Sequence, residues 1–83
     1  METTANITSL IELARASTGL KLANLSTRDG WVLTIEGEDY GSPKPLAEYE
    51  AFLGDFVTWV IMEPKQFRWH IDGWPDARRA ERG

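Results

Sequence analysis

His70 is the only imidazole in the chain. A histidine working as general acid or base needs an orienting carboxylate and a reacting group within hydrogen-bond reach. Asp72 lies two residues along on the same face of an extended segment, too far for a tight pair, so His70 is read as structural. Asp72-Gly73-Trp74-Pro75-Asp76 places two carboxylates around a turn. A calcium loop of the EF-hand kind requires more oxygen ligands and a glutamate at its twelfth position, which this segment lacks. It reads as a turn that displays Trp74, and an exposed tryptophan is a common binding anchor. Glu36, Glu38, Asp39, Glu48 and Asp55 form the remaining concentration of chemistry. Either they are a solvated face that aids solubility, or they offer a negative surface to a basic groove, such as a nucleic-acid channel or an arginine-rich partner. A hydrolase built on paired carboxylates needs the two groups converging in a cleft, which a convex helix face does not supply.

Other catalytic signatures are missing. The chain has no Walker loop, dinucleotide-binding glycine motif or nucleophile elbow. It has no cysteine and one histidine, so neither a thiolate metal site nor a histidine cluster can be assembled. Eighty-three residues leave little room for a substrate pocket of several hundred Å3. The expectation is a protein that is not an enzyme and takes no cofactor and no metal. Asn6-Ile7-Thr8 and Asn24-Leu25-Ser26 match glycosylation sequons. No basic-then-apolar leader precedes them, so they are read as chance and the protein as cytoplasmic. No apolar run approaches the length of a membrane span.

These residues must be held by local structure. Ile7, Leu10, Ile11 and Ala14 recur with helical spacing and predict a helix over 5–18, ended by a left-handed Gly19. Residues 20–27 and 31–37 predict a hairpin. A three-residue loop, Arg28-Asp29-Gly30, sets Leu25 opposite Leu33, Ala23 opposite Ile35 and Thr27 opposite Trp31, with Gly30 left-handed. Residues 37–44 read as turn chemistry. Leu46, Tyr49, Leu53, Phe56, Val57 and Val60 form a stripe that predicts a helix from 45 to about 61. The β-branched and aromatic run 56–62 leaves a second hairpin as the competing reading. The unbroken phase through Gly54 favours the helix. Alternating Phe67, Trp69 and Ile71 predict a strand over 66–71.

The elements then run α-β-β-α-β. The fold class is α+β: a three-stranded antiparallel sheet of order 2-1-3 with two helices on one face. Residues 1–75 make a single compact domain, and 76–83 a flexible, arginine-containing tail. A chain of 83 residues buries a modest core. Yet it carries four tryptophans, more than so small a domain readily hides. Net charge is −4, and it is uneven: residues 36–55 carry −5 while 56–83 carry +1. This balance excludes a uniformly basic nucleic-acid binder.

A cysteine-free acidic domain with surplus aromatics at Trp59, Trp69 and Trp74, an acidic stretch from Glu36 to Asp55 and no catalytic constellation resembles the small inhibitors that phages encode against host factors, the anti-CRISPR proteins among them. The likeness is one of style across the whole chain and rests on no shared motif. It implies stoichiometric binding to a CRISPR effector complex and obstruction of its access to target DNA. The arginines at 78, 79 and 82 depart from a pure DNA mimic. The leading expectation is therefore a non-enzymatic binding protein that inhibits a macromolecular, nucleic-acid-handling protein partner without binding nucleic acid or membrane itself. Glu36, Glu38, Asp39, Glu48, Asp55, Trp59 and Trp74 are its expected partner-binding residues. The alternative is a homo-oligomeric accessory subunit of a larger, phage-type assembly. Monomer and homodimer are both compatible with the sequence.

Overall fold

A computed structural model describes the backbone of residues 5–82 and the side chains of residues 5–73. The elements, in order, are α1 (Ala5–Thr18), β1 (Leu22–Thr27), β2 (Gly30–Ile35), β3 (Glu38–Lys44), α2 (Leu46–Met62) and α3 (Pro64–Arg82). The class is α+β, with one antiparallel sheet of order β1-β2-β3. This meander replaces the expected order 2-1-3, and α-β-β-β-α-α replaces α-β-β-α-β.

Two segments account for the change. Residues 38–44, read as turn, form β3. Glu38, Gly41, Pro43 and Lys44 give no apolar alternation, but an edge strand needs only its backbone to pair, and proline is tolerated there. Residues 66–71, read as the third strand, lie within α3. Phe67 and Ile71 are 2% and 8% exposed and Trp69 is 82% exposed. That is a helical i, i+4 pair with the intervening indole turned outward, not one side of a strand. Pro64 opens α3, where a missing N–H costs nothing. The 72–76 segment, read as a turn, is part of the same helix. The backbone of 76–82, expected as a flexible tail, continues the same helix, and the side chains of 74–83 lie outside the described residues.

Helix α1 buries Ile7, Ile11 and Ala14. Gly19 ends it with φ 72° and donates to the Arg15 carbonyl at 2.9 Å. Helix α2 buries Tyr49, Leu53, Phe56, Val57 and Val60, as the long-stripe reading requires. It packs against α1 on one side and α3 on the other, and lies across β2 and β3.

The first hairpin forms where expected, one residue out of register. Thr27 pairs with Gly30 across a two-residue loop, and the ladder sets Asn24 opposite Leu33, Leu25 opposite Val32 and Leu22 opposite Ile35. Leu22, Asn24, Leu33 and Ile35 therefore face the helices. The cause is Asn24, a polar residue on the apolar face whose hydrogen bonds are met internally. Its Nδ2 donates to the Ile7 carbonyl at 2.9 Å, and its Oδ1 accepts from the Tyr49 hydroxyl. Gly30 has φ 129°, and a Cβ there would stand 2.5 Å from the Lys44 carbonyl oxygen, so the turn admits only glycine beside the end of β3. The second hairpin turns at Glu36 and Gly37, both at positive φ (53° and 85°), as its tight two-residue loop demands.

Candidate interaction surface

The chemistry-bearing residues of α2 are sorted by its period. Glu48, Phe52, Asp55, Trp59 and Met62 follow one another at spacings of four, three, four and three, which places them on one flank of the helix. That flank lies beside the buried stripe, at the border between core and water. Glu48 and Asp55 are exposed, Phe52 and Trp59 are half-buried, and Met62 is 75% exposed. Glu48 occupies the first turn of α2, where a carboxylate complements the helix dipole. Lys44, at the end of β3, holds its ammonium 4.5 Å from the centre of the Phe52 ring.

Aromatic rings fix this flank to its neighbours. Trp59 meets Phe56, Phe67 and His70 edge-on, at centroid distances of 6.3, 5.3 and 5.5 Å. Tyr40 on β3 lies 6.4 Å from Phe52 and 5.7 Å from Phe56. The Tyr40 hydroxyl and the Nε2 of His70 are 3.2 Å apart, a hydrogen bond joining β3 to α3. Burial raises the Tyr40 pKa, which keeps the phenol protonated. Arg68 adds a second tether, donating to the Thr18 carbonyl at the end of α1 (3.1 Å). His70 thus serves as a joint between elements, meeting Tyr40 and Trp59, and among the described residues no carboxylate is recorded against it. Among the described residues no three histidines or carboxylates gather as a metal site would require.

Of the expected partner-binding residues, Glu48, Asp55 and Trp59 share the α2 flank. Glu38 faces the same side of the sheet as Tyr40, two residues and about 7 Å further along β3. Asp39 points to the opposite face. Glu36 is occupied with the second turn, its carboxylate accepting the backbone N–H of Lys21. The acidic residues are all exposed, but they do not form one patch. Trp74 lies outside the described side chains.

Trp69 is the exposed tryptophan that the strand reading hid by pointing it the same way as Phe67. Helical spacing sets it about 200° from Phe67 and therefore in water. It rises one turn beyond Lys65 and Gln66, which, with Met62, Glu63 and Pro64, line a shallow depression of about 360 Å3 at the α2–α3 elbow. A second groove, of about 250 Å3, lies between α1 and β1 and is lined by Ile7, Thr8, Ile11, Arg15, Ala23, Asn24 and Trp31.

Among the described residues no helix is long and apolar enough to cross a membrane. No protein-family model, curated protein or solved structure matches the chain.

Proposed function

We propose that this chain is a non-catalytic intracellular protein that inhibits a macromolecular partner by stoichiometric binding through the acidic and aromatic flank of α2. The observation that carries the reading is that flank: two exposed carboxylates, Glu48 and Asp55, in line with the half-buried Trp59 and the exposed Met62, and Trp69 standing free beyond the elbow. Carboxylates on such a rim steer approach and fix orientation, while aromatic side chains provide the larger part of the affinity. A basic groove is the complementary surface. The likeness to phage-encoded inhibitors suggests a nucleic-acid-handling complex such as a CRISPR effector as its owner.

Capture of partners from the source cell with wild-type protein and with the double variant Glu48→Lys/Asp55→Lys tests the reading. Retention of a basic protein by the wild type, with association slowed about tenfold by the charge reversal and only weakly sensitive to salt thereafter, supports it. Equal association rates for both proteins overturn the electrostatic surface. The uncharged outer edge of β1 favours a second reading, a homo-oligomeric accessory subunit.

A further inference from the structure

The two edges of the sheet are built differently. Edge strand β3 carries Glu38, Asp39, Gly41, Pro43 and Lys44, and its pairing with β2 shifts register between Trp31 and Leu33. Charge, proline and an irregular ladder are the devices by which proteins keep a sheet edge from recruiting another strand. Edge strand β1, Leu-Ala-Asn-Leu-Ser-Thr, has no charge and no proline, and its ladder is regular.

The direction of its backbone groups follows from one bond. The Glu36 N–H donates to the Lys21 carbonyl at 2.8 Å. In an antiparallel ladder alternate residues face the partner strand, so Lys21, Ala23, Leu25 and Thr27 turn their amide groups toward β2. Leu22, Asn24 and Ser26 turn theirs outward. The Leu22 carbonyl is capped by Arg15 Nε at 2.7 Å. Among the described residues nothing caps the backbone of Asn24 or Ser26.

We propose that β1 pairs antiparallel with β1 of a second copy of the chain, about a twofold axis through Leu25, joining two sheets into one of six strands. The register is argued from three features. First, with the axis at Leu25, Asn24 of each chain exchanges both backbone hydrogen bonds with Ser26 of the other, so the free groups meet each other and the Leu22 carbonyl stays with Arg15. Second, Lys21 comes opposite Asp29 of the second copy at both ends. Moving the axis to Asn24 would set Lys21 against Thr27 instead and draw the Leu22 carbonyl, already held by Arg15, into the pairing. Third, Leu25, 46% exposed, already pairs with buried Val32 on the face away from the helices. The axis continues that row as Val32, Leu25, Leu25, Val32 across both chains. The side chains brought beneath α1 are the small Asn24 and Ser26, and the groove beside Asn24 leaves them space.

The test is oligomeric state and cross-linking. Light scattering at high micromolar concentration is expected to give twice the 9.4 kDa chain mass for the wild type. Leu25→Lys, which sets two ammonium groups face to face, is expected to return a single-chain mass with an unchanged circular dichroism spectrum. Leu25→Cys, placed in a chain with no other cysteine, should oxidise to a disulfide-linked dimer, because residues opposite at a non-hydrogen-bonded pair stand about 4.5 Å apart. Thr27→Cys should remain reduced, since Thr27 would face Ala23. A single-chain mass for the wild type, as when β1 receives an extended peptide of another protein, overturns the proposal. So does a dimer that survives in folded Leu25→Lys, or equal cross-linking of Leu25→Cys and Thr27→Cys.

Discussion

Two tyrosines hold this fold together, and their surroundings differ. Tyr49 of α2 has no exposed surface, and its hydroxyl bonds Asn24, which in turn bonds the first turns of α1. Tyr40 of β3 is half-buried, and its hydroxyl meets His70 of α3 at a longer 3.2 Å. The first joint ties α1, β1 and α2 inside the core. The second fastens α3, which brings Phe67 and Ile71 to the core, to the edge strand β3. A buried hydroxyl whose partner is removed costs its full desolvation, whereas a group within reach of water recovers part of that cost. The same kind of bond is thus structural at one end of the molecule and a clasp at the other.

The comparison breaks if the two joints prove equal. Tyr49→Phe, which leaves the side-chain Oδ1 of Asn24 without its donor, is expected to destabilise the chain by about 1–3 kcal/mol in urea unfolding; a loss no larger than that of Tyr40→Phe would refute the distinction. Alkaline pH sharpens it. Burial raises both phenol pKa values above the ordinary 10.0. Below pH 10 each phenol is neutral whether the chain is folded or unfolded, so stability is level. Above it the unfolded chain loses its protons first, and stability falls by up to about 1.4 kcal/mol per pH unit for Tyr49. The Tyr49→Phe variant should show a visibly shallower decline in unfolding midpoint beyond pH 10.

Tyr40→Phe is expected to cost about 0.5–1.5 kcal/mol, with a change in the emission of Trp59, whose ring rests on His70 and Phe67. An unchanged emission maximum would mean that α3 docks without the clasp. Smallest of all, Asp55→Lys should move stability by no more than about 0.5 kcal/mol, because its side chain is exposed in the middle of the helix. A larger shift in melting temperature would make the α2 flank part of the scaffold rather than a surface kept for a partner.

The elements that proved legible are those whose own side chains enter the core. Ile7, Ile11 and Ala14 announce α1, Gly19 marks its end, and the stripe from Leu46 to Val60 announces α2 through its glycine. The failures share a different cause. In β1 the inward position at 24 is filled by an amide satisfied by Tyr49 and Ile7, and a polar residue facing the helices is invisible to a pattern of hydrophobic alternation. Strand β3 is held by backbone bonds to β2 and has almost no pattern to read. In α3, Phe67, Trp69 and Ile71 alternate as a strand would, yet Phe67 and Ile71 also satisfy a helical period, and Pro64 marks where that helix begins. Of the candidate surface, the exposure of the carboxylates was readable from residue type. That Glu48 and Asp55 share a helix face was readable from the phase of α2; where Glu36, Glu38 and Asp39 point was not, since that follows from the second turn and from β3. Trp69 was missed for the same reason that α3 was.

Glu63 is the whole of the connection between α2 and α3, with φ −134° and ψ 63°. Its N–H still closes the last turn of α2 on Trp59, and its carbonyl accepts from Phe67 in the first turn of α3. A coupling one residue wide transmits rotation without slack. Removing that residue would change the direction in which α3 leaves α2, carrying Phe67 and Ile71 out of the seam. The outward aim of Trp69 is therefore written six residues upstream, in the conformation of a single glutamate.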